Sequence, residues 1–218
     1  MSKLSVIQAY NLCNEDITVI RELEEQDLKG IVPREWISLV NEKSPEKRIN
    51  IAISLWERVV GNELSLVINS LKSNLRDINL LKVGNKYYLL YVIQSPVGEE
   101  IYYIGGNPYN VHLDECGLAS TVKPFYTNLH DGFYDYCYKA MGLIESNKIK
   151  NLKELVDHNS HNDNLQDYLG YFSNGMGDYV AIDNNSNNAY LYFKDGESAK
   201  NVGFWDVVDE WLNMAING

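Results

Sequence analysis

Cysteine is scarce in this sequence. Only three occur in 218 residues, Cys13, Cys116 and Cys137, and no two form a CxxC pair. An odd, unpaired set excludes a disulfide framework and a zinc ribbon, and it fits reduced thiols. Long apolar runs are missing too, since none approaches the ~18 residues a membrane-spanning helix requires. The opening residues Met1-Ser2-Lys3-Leu4-Ser5 lack the apolar centre of a signal peptide. Together with the thiols this sets the expectation of a cytoplasmic protein. Positive charge is in short supply: 19 Lys+Arg stand against 30 Asp+Glu, a net charge of −11. Phosphate neutralisation needs clustered Lys and Arg, so general nucleic-acid binding is excluded as a function class. Neither GxxxxGKS/T nor GxGxxG is present. Gly105-Gly106 and Gly175-Met176-Gly177 read as turn glycines, because a phosphate cradle needs a helix start and Gly175 leads into a strand.

What is present is ordinary globular material, 45% hydrophobic and 22% charged. A chain of this length buries roughly 70% of its unfolded surface and needs no staples. Its character changes near residue 80. Before that point apolar residues recur at helical spacing. Ser44 and Pro45 start the clearest helix, Ile49, Ala52, Ile53, Trp56, Val59 and Val60 form its buried stripe, and Gly61 stops it. Leu64, Val67, Ile68, Leu71 and Leu75 predict the next helix. Ile17, Ile20 and Leu23, then Trp36, Ile37 and Val40 after Pro33, suggest two more pieces.

After residue 80 the aromatic and β-branched run Lys86–Ile93, the turn Ser95-Pro96-Val97-Gly98 and the return Glu100–Ile104 predict a hairpin. Residues 123–144 read as helical with a break at Asp131-Gly132, and 151–157 as a short helix. His158–Asn164 is a polar loop followed by an apolar-aromatic stretch, Leu165–Phe172. Ser173–Gly177 is a turn, Asp178–Asp183 and Ala189–Phe193 are paired strands, and Phe204–Ile216 is a closing helix. That helix places Phe204, Val208, Trp211, Leu212, Ala215 and Ile216 on one face, with Asp206, Asp209, Glu210 and Asn213 opposite. This order predicts an α+β fold, a mainly antiparallel sheet with flanking helices. Residues 1–80 form an N-terminal helical layer packed on an α+β domain of residues 81–218.

Catalytic and metal constellations are poorly supplied. Cys137 lies near His130 and Asp131, as a thiol nucleophile and its base would. It sits inside an apparent helix, however, with nothing to lower its pKa, so a core-packed thiol is the simpler reading. Asp157-His158-Asn159-Ser160-His161-Asn162-Asp163 offers imidazoles and carboxylates, yet no companion ligand cluster exists elsewhere, which favours a solvated loop. Asp178 and Asp183, five residues apart on one strand, point to opposite faces and make no catalytic pair. No enzyme, cofactor or metal is expected. Binding remains, carried by the acidic surplus together with 16 Tyr and four Trp.

The segment Tyr171-Phe172-Ser173-Asn174-Gly175-Met176-Gly177-Asp178-Tyr179-Val180-Ala181-Ile182-Asp183, the strand Ala189–Phe193 and the helix Phe204–Ile216 resemble the SUKH superfamily. That pattern is an aromatic residue, a glycine turn, Gly-Asp, a hydrophobic strand ending in Asp, a hairpin and a closing helix. Residues 123–133 also look like the family's helix that ends at a glycine. The resemblance is best over 171–216, weaker over 86–170 and absent over 1–80. It implies a SUKH-like domain and an immunity function: binding and blocking a cognate toxin, often a nuclease with a basic face, without catalysis. The expected partner is a basic protein, with no direct nucleic-acid or membrane contact. Candidate partner contacts are Asp131, Asp135, Asp178, Tyr179 and Asp183. A regulatory or scaffold module of the same fold with no toxin is the alternative, and a hydrolase using Cys137 and His130 a third.

Overall fold

The computed structural model of the chain describes residues 16–21, 28–111, 117–138, 141–156, 163–183 and 185–217. Three helices come early: α1 (Arg34–Asn41), α2 (Pro45–Val60) and α3 (Ser65–Asn74). The start of α2 is as its sequence predicts. Pro45 occupies the first turn, where no N–H is needed, and Ser44 Oγ accepts the Lys47 N–H at 3.4 Å. Arg48, one turn in, donates to Asp77 Oδ1 at 2.6 and 3.1 Å and to the Glu42 carbonyl at 2.8 Å. The helix thereby ties the α1–α2 linker to the sheet.

The change from helix to strand comes at Leu75, which begins β2 (Leu75–Val83) and does not extend the helical stripe. Gly84, at φ 56°, and Asn85 turn the chain directly into β3 (Lys86–Gln94). β4 (Glu100–Gly106) completes the expected hairpin. Ile17–Ile20, expected as helix, is the strand β1, antiparallel to β2. Three of its four residues are apolar and all are β-branched, a set that packs on a pleated surface better than on a helix. Residues 123–144 also depart from the helical expectation. Only α4 (Lys123–Asn128) is helical; β5 (Phe133–Asp135) and β6 (Met141–Leu143) follow as antiparallel strands. The expectation that Cys137 lies in a helix is corrected with them, since it follows β5 in a turn.

β7 (Lys150–Asn151), the short α5 (Leu152–Leu155), β8 (Tyr168–Asn174), β9 (Tyr179–Asp183), β10 (Ala189–Tyr192), β11 (Ala199–Val202) and α6 (Phe204–Asn217) complete the chain. The fold is α+β. Among the described residues, six helices accompany one sheet of eleven strands, in the order β1-β2-β3-β4-β5-β6-β8-β9-β10-β11 with β7 beside β8. Every pairing is antiparallel. Position 80 lies inside β2, and a single hydrophobic core joins residues of α1–α3 with residues of β2, β3, β8, β9 and α6. Among the described residues no helix is long and apolar enough to cross a membrane.

Two adjacent cross-strand rows show how the sheet sorts its faces. Leu80, Leu89, Gly105, Phe133, Leu143, Phe172 and Val180 are successive partners, and all but Gly105 belong to the main core beneath the helices. The neighbouring row, Leu90, Ile104, Tyr134, Gly142, Ser173, Tyr179 and Tyr192, points the other way because side chains alternate along each strand. Two smaller clusters lie on that second face. One gathers Leu81, Leu90, Val92, Tyr102, Ile104 and Tyr136. The other gathers Leu152, Val156, Leu165, Ala181 and Tyr190, and includes part of α5.

Candidate functional site

The second row explains a hollow between those two clusters. Large side chains occupy its flanks, Tyr134 on β5 and Tyr179 on β9, but the two positions between them are Gly142 and Ser173. Three interstrand spacings separate the tyrosine backbones, ~14 Å in all. With almost nothing standing on the floor, the sheet carries an open trough of about 370 Å³. Gly142 has little freedom to be anything else. Its φ is 143°, and a Cβ would run into the Phe133 carbonyl oxygen and lie 2.5 Å from Tyr134 Cα. The Gly175–Gly177 turn closes one end, and Glu145 with Lys148 lies at the trough's edge.

Glu145 is the most constrained charge in this region. Its side chain is only 5% exposed. Oε1 accepts the Tyr134 hydroxyl at 2.6 Å and the Tyr88 hydroxyl at 3.3 Å, while Oε2 faces Lys148 Nζ at 3.0 Å. Burial pushes the carboxyl up, but the Tyr134 hydroxyl, Lys148 and Lys86 outweigh it and hold Glu145 below its ordinary value. The same contact, added to burial, drives the Tyr134 phenol far above its usual range, so it stays a protonated donor. Lys148 Nζ also lies 5.8 Å from the Tyr134 ring centroid. Carboxylate, phenol and ammonium thus form one satisfied network on the wall of an open space.

The residues expected from sequence fall in different places. Tyr179 forms a trough wall, and Asp178 precedes it in the chain. Asp178 is spent on structure: Oδ1 accepts the Lys194 N–H at 2.8 Å and Oδ2 the Asn174 amide at 2.7 Å. Asp135 follows the Tyr134 wall and accepts the Cys137 and Tyr138 N–H groups at 3.1 and 3.0 Å. Burial raises its pKa against those two bonds. Asp183 stands at the other end of β9. It accepts the Asn185 N–H at 2.7 Å and the Ser186 hydroxyl at 2.8 Å, and these bonds hold its carboxyl low. Asp131 is 7% exposed, with Oδ1 accepting the Ser146 N–H at 2.8 Å. Its carboxylate is committed inside the fold, where burial pushes its pKa up.

Cys137 and His130 do not form a nucleophile and base. The His130 ring lies in the main core, where Nε2 shares a hydrogen bond of 2.8 Å with Tyr91 Oη. Cys137 packs with the tyrosine-rich cluster on the opposite sheet face. Burial and Asp135 push its thiol up to about 11, the reverse of an activated nucleophile. Cys13, Cys116 and the His158–His161 pair lie outside the described residues. Among the described residues, no three His, Cys, Asp or Glu side chains are placed to hold a metal.

Sequence reasoning did not single out Glu145, Lys148, Tyr134, Gly142 or Ser173. The acid and base three apart, Glu145-Ser146-Asn147-Lys148, are a faint signal. The strands that carry Tyr134 and Gly142 are three residues long, too short for a period of two to be read, and Ser173 falls in a stretch the sequence marks as a turn. No protein-family model matches the chain, and no curated protein or solved structure matches it.

Proposed function

We propose that the chain is a SUKH-like immunity protein, which binds and neutralises a cognate toxin domain without catalysis. The observation that carries this reading is the open, tyrosine-walled trough with a buried carboxylate at its edge, on a protein of net charge −11. Tyrosine provides contact area at low entropic cost, and acidic charge speeds encounter with a basic partner. The Gly177-Asp178 turn, the β9–β10 hairpin and the closing helix α6 stand in the order the resemblance expects, which supports a SUKH-like fold. A raised Cys137 pKa and a core-enclosed His130 favour binding over hydrolysis.

Co-expression with the toxin encoded beside this gene tests the proposal. Neutralisation requires restored growth and a complex that copurifies, with an association rate that falls as salt rises. Growth arrest that persists beside well-folded protein sinks it. A complex formed with an endogenous protein and no neighbouring toxin selects the regulatory module.

A further inference from the structure

We infer that the trough receives one cationic side chain of a protein partner, arginine in preference to lysine, with Glu145 as counter-ion and Lys148 filling that place in the free protein. This deepens the binding role proposed above, on which it rests, by naming the partner chemistry.

The geometry around Glu145 is that of a cation site already holding a cation. One carboxylate oxygen is anchored by two phenols, which fixes the group's position. The other faces an ammonium that also lies near the Tyr134 ring. An anionic oxygen beside an aromatic face is the pairing that selects a guanidinium or ammonium group. Lys148 is a weak occupant. It is 58% exposed and belongs to a three-residue 3-10 turn, Ser146–Lys148. With its ammonium largely in water, it is held far less firmly than the carboxylate it faces. The bare floor at Gly142 and Ser173 leaves space beside it for an entering chain, and the Tyr179 wall extends the aromatic lining. An arginine stacks its plane on phenol rings as a lysine does not, which sets the order of preference.

Another hollow, about 590 Å³ near α1 and β2, offers no equivalent. Of its two acids, Asp77 is engaged by Arg48, whose remaining bonds hold the α1–α2 linker, and Glu42 Oε1 accepts the Ser44 N–H at 2.8 Å. An anion is a poorer occupant of the trough, because the most buried charge in its lining is a carboxylate and its lysine is already paired.

The test titrates the full chain with acetyl-Gly-Arg-Gly-amide, followed by two-dimensional NMR, with the lysine and citrulline peptides as comparison arms. Saturable shifts centred on Gly142, Glu145, Ser173 and Tyr179 are expected with arginine, weaker ones with lysine and none with citrulline. Glu145→Gln should weaken arginine binding about tenfold or more, a loss of ~1.4 kcal/mol or above. Because Glu145 is buried, two variants at less buried positions, one exposed and one half-buried, carry the test independently of its folding. Lys148→Met should tighten binding by removing the competing cation, and Ser173→Leu should abolish it by filling the floor. Equal response to citrulline, shifts away from the trough, or weaker binding in Lys148→Met overturns the inference. Growth rescue without arginine binding would reject this site alone. Arginine binding without rescue would reject toxin neutralisation alone.

Discussion

Asp209 closes the first turn of α3 from the C-terminal helix. Its Oδ1 accepts the Val67 N–H at 2.9 Å and its Oδ2 the Leu66 N–H at 3.0 Å, across 143 residues of sequence in the second case. The residue before α3 supplies no side-chain cap, so this carboxylate does the work of one. The match continues at helical spacing. Asn213 accepts the Ser70 hydroxyl at 2.6 Å, and Asn217 accepts from Asn74 at 3.0 Å. Positions 209, 213 and 217 of α6 therefore meet 66–67, 70 and 74 of α3.

Removing that cap leaves two N–H groups without their acceptor. Asp209→Ala should cost about 2 kcal/mol, and Asn213→Ala nearer 1 kcal/mol. Urea denaturation checks this, with the midpoint lowered and the slope unchanged. A loss no greater for Asp209→Ala than for the exposed Glu210→Ala would show that the cap contributes nothing.

A second relay crosses the main core. Trp56 Nε1 donates to Tyr91 Oη at 2.9 Å, and Tyr91 shares its bond of 2.8 Å with His130 Nε2. With one oxygen lone pair taken by Trp56, the phenol proton is free to serve Nε2, which places the single ring proton of the neutral imidazole on Nδ1. Burial pushes His130 down to about 3, and the Gly106 backbone opposes this only in part. An unfolded histidine binds its proton near pH 6.5, so between these values the unfolded state holds more protons than the folded one. Stability is therefore fully present above pH 6.5 and falls on acidification, by up to ~1.4 kcal/mol per pH unit. Between pH 6.5 and 5, above the ordinary carboxylate range, this slope should be visible in thermal or urea melts and flattened in His130→Phe. Tyr91→Phe should cost about 1–3 kcal/mol by stranding both of its partners.

These relationships mark what the sequence did and did not disclose. Local signals are legible: Ser44-Pro45 opens α2 and Gly61 follows it, and the hairpin of β3 and β4 follows from its dense aromatic and β-branched runs and the turn between them. Asp209 is placed by the sequence on the polar face of the closing helix, beside Asp206, Glu210 and Asn213. Its true role depends on α3 lying against α6, which no local window records. The helical stripe takes in Leu75, the first residue of β2, and the sequence reading assigns nothing to 76–83, although Gly84-Asn85 between two apolar runs is a two-residue hairpin signal. The trough was hidden for a geometric reason. Tyr134, Gly142, Ser173 and Tyr179 become neighbours only through the register of four strands.

Cys137 offers a chemical check on the fold. A thiol pushed up to about 11 from an ordinary 9.0 carries roughly 100-fold less thiolate at pH 8. Iodoacetamide labelling read peptide by peptide should therefore find Cys137 far slower than a free thiol in the unfolded chain. Rapid, pH-independent labelling near neutrality would restore the nucleophile reading and contradict its burial beside Asp135.

The floor of the trough supplies the last test, because shape and stability separate there. Gly142→Ala places a methyl group against the Phe133 carbonyl oxygen at a φ of 143°, so β5 and β6 must part or distort. Strain of that kind costs about 1–3 kcal/mol, with a further loss if the strand pairing opens. Ser173, on the same row, is half-buried, carries no positive φ and accepts the Gly175 N–H on Oγ at 3.0 Å; a larger residue there narrows the trough and gives up that one turn hydrogen bond. Gly142→Ala should thus lower the melting temperature clearly more than Ser173→Leu, which loses one turn hydrogen bond worth about 1 kcal/mol, as calorimetry of the two variants would show. Equal destabilisation by both would mean that the space above Gly142 and Ser173 is closed by packing, and the row of small residues would then be a structural joint between two clusters.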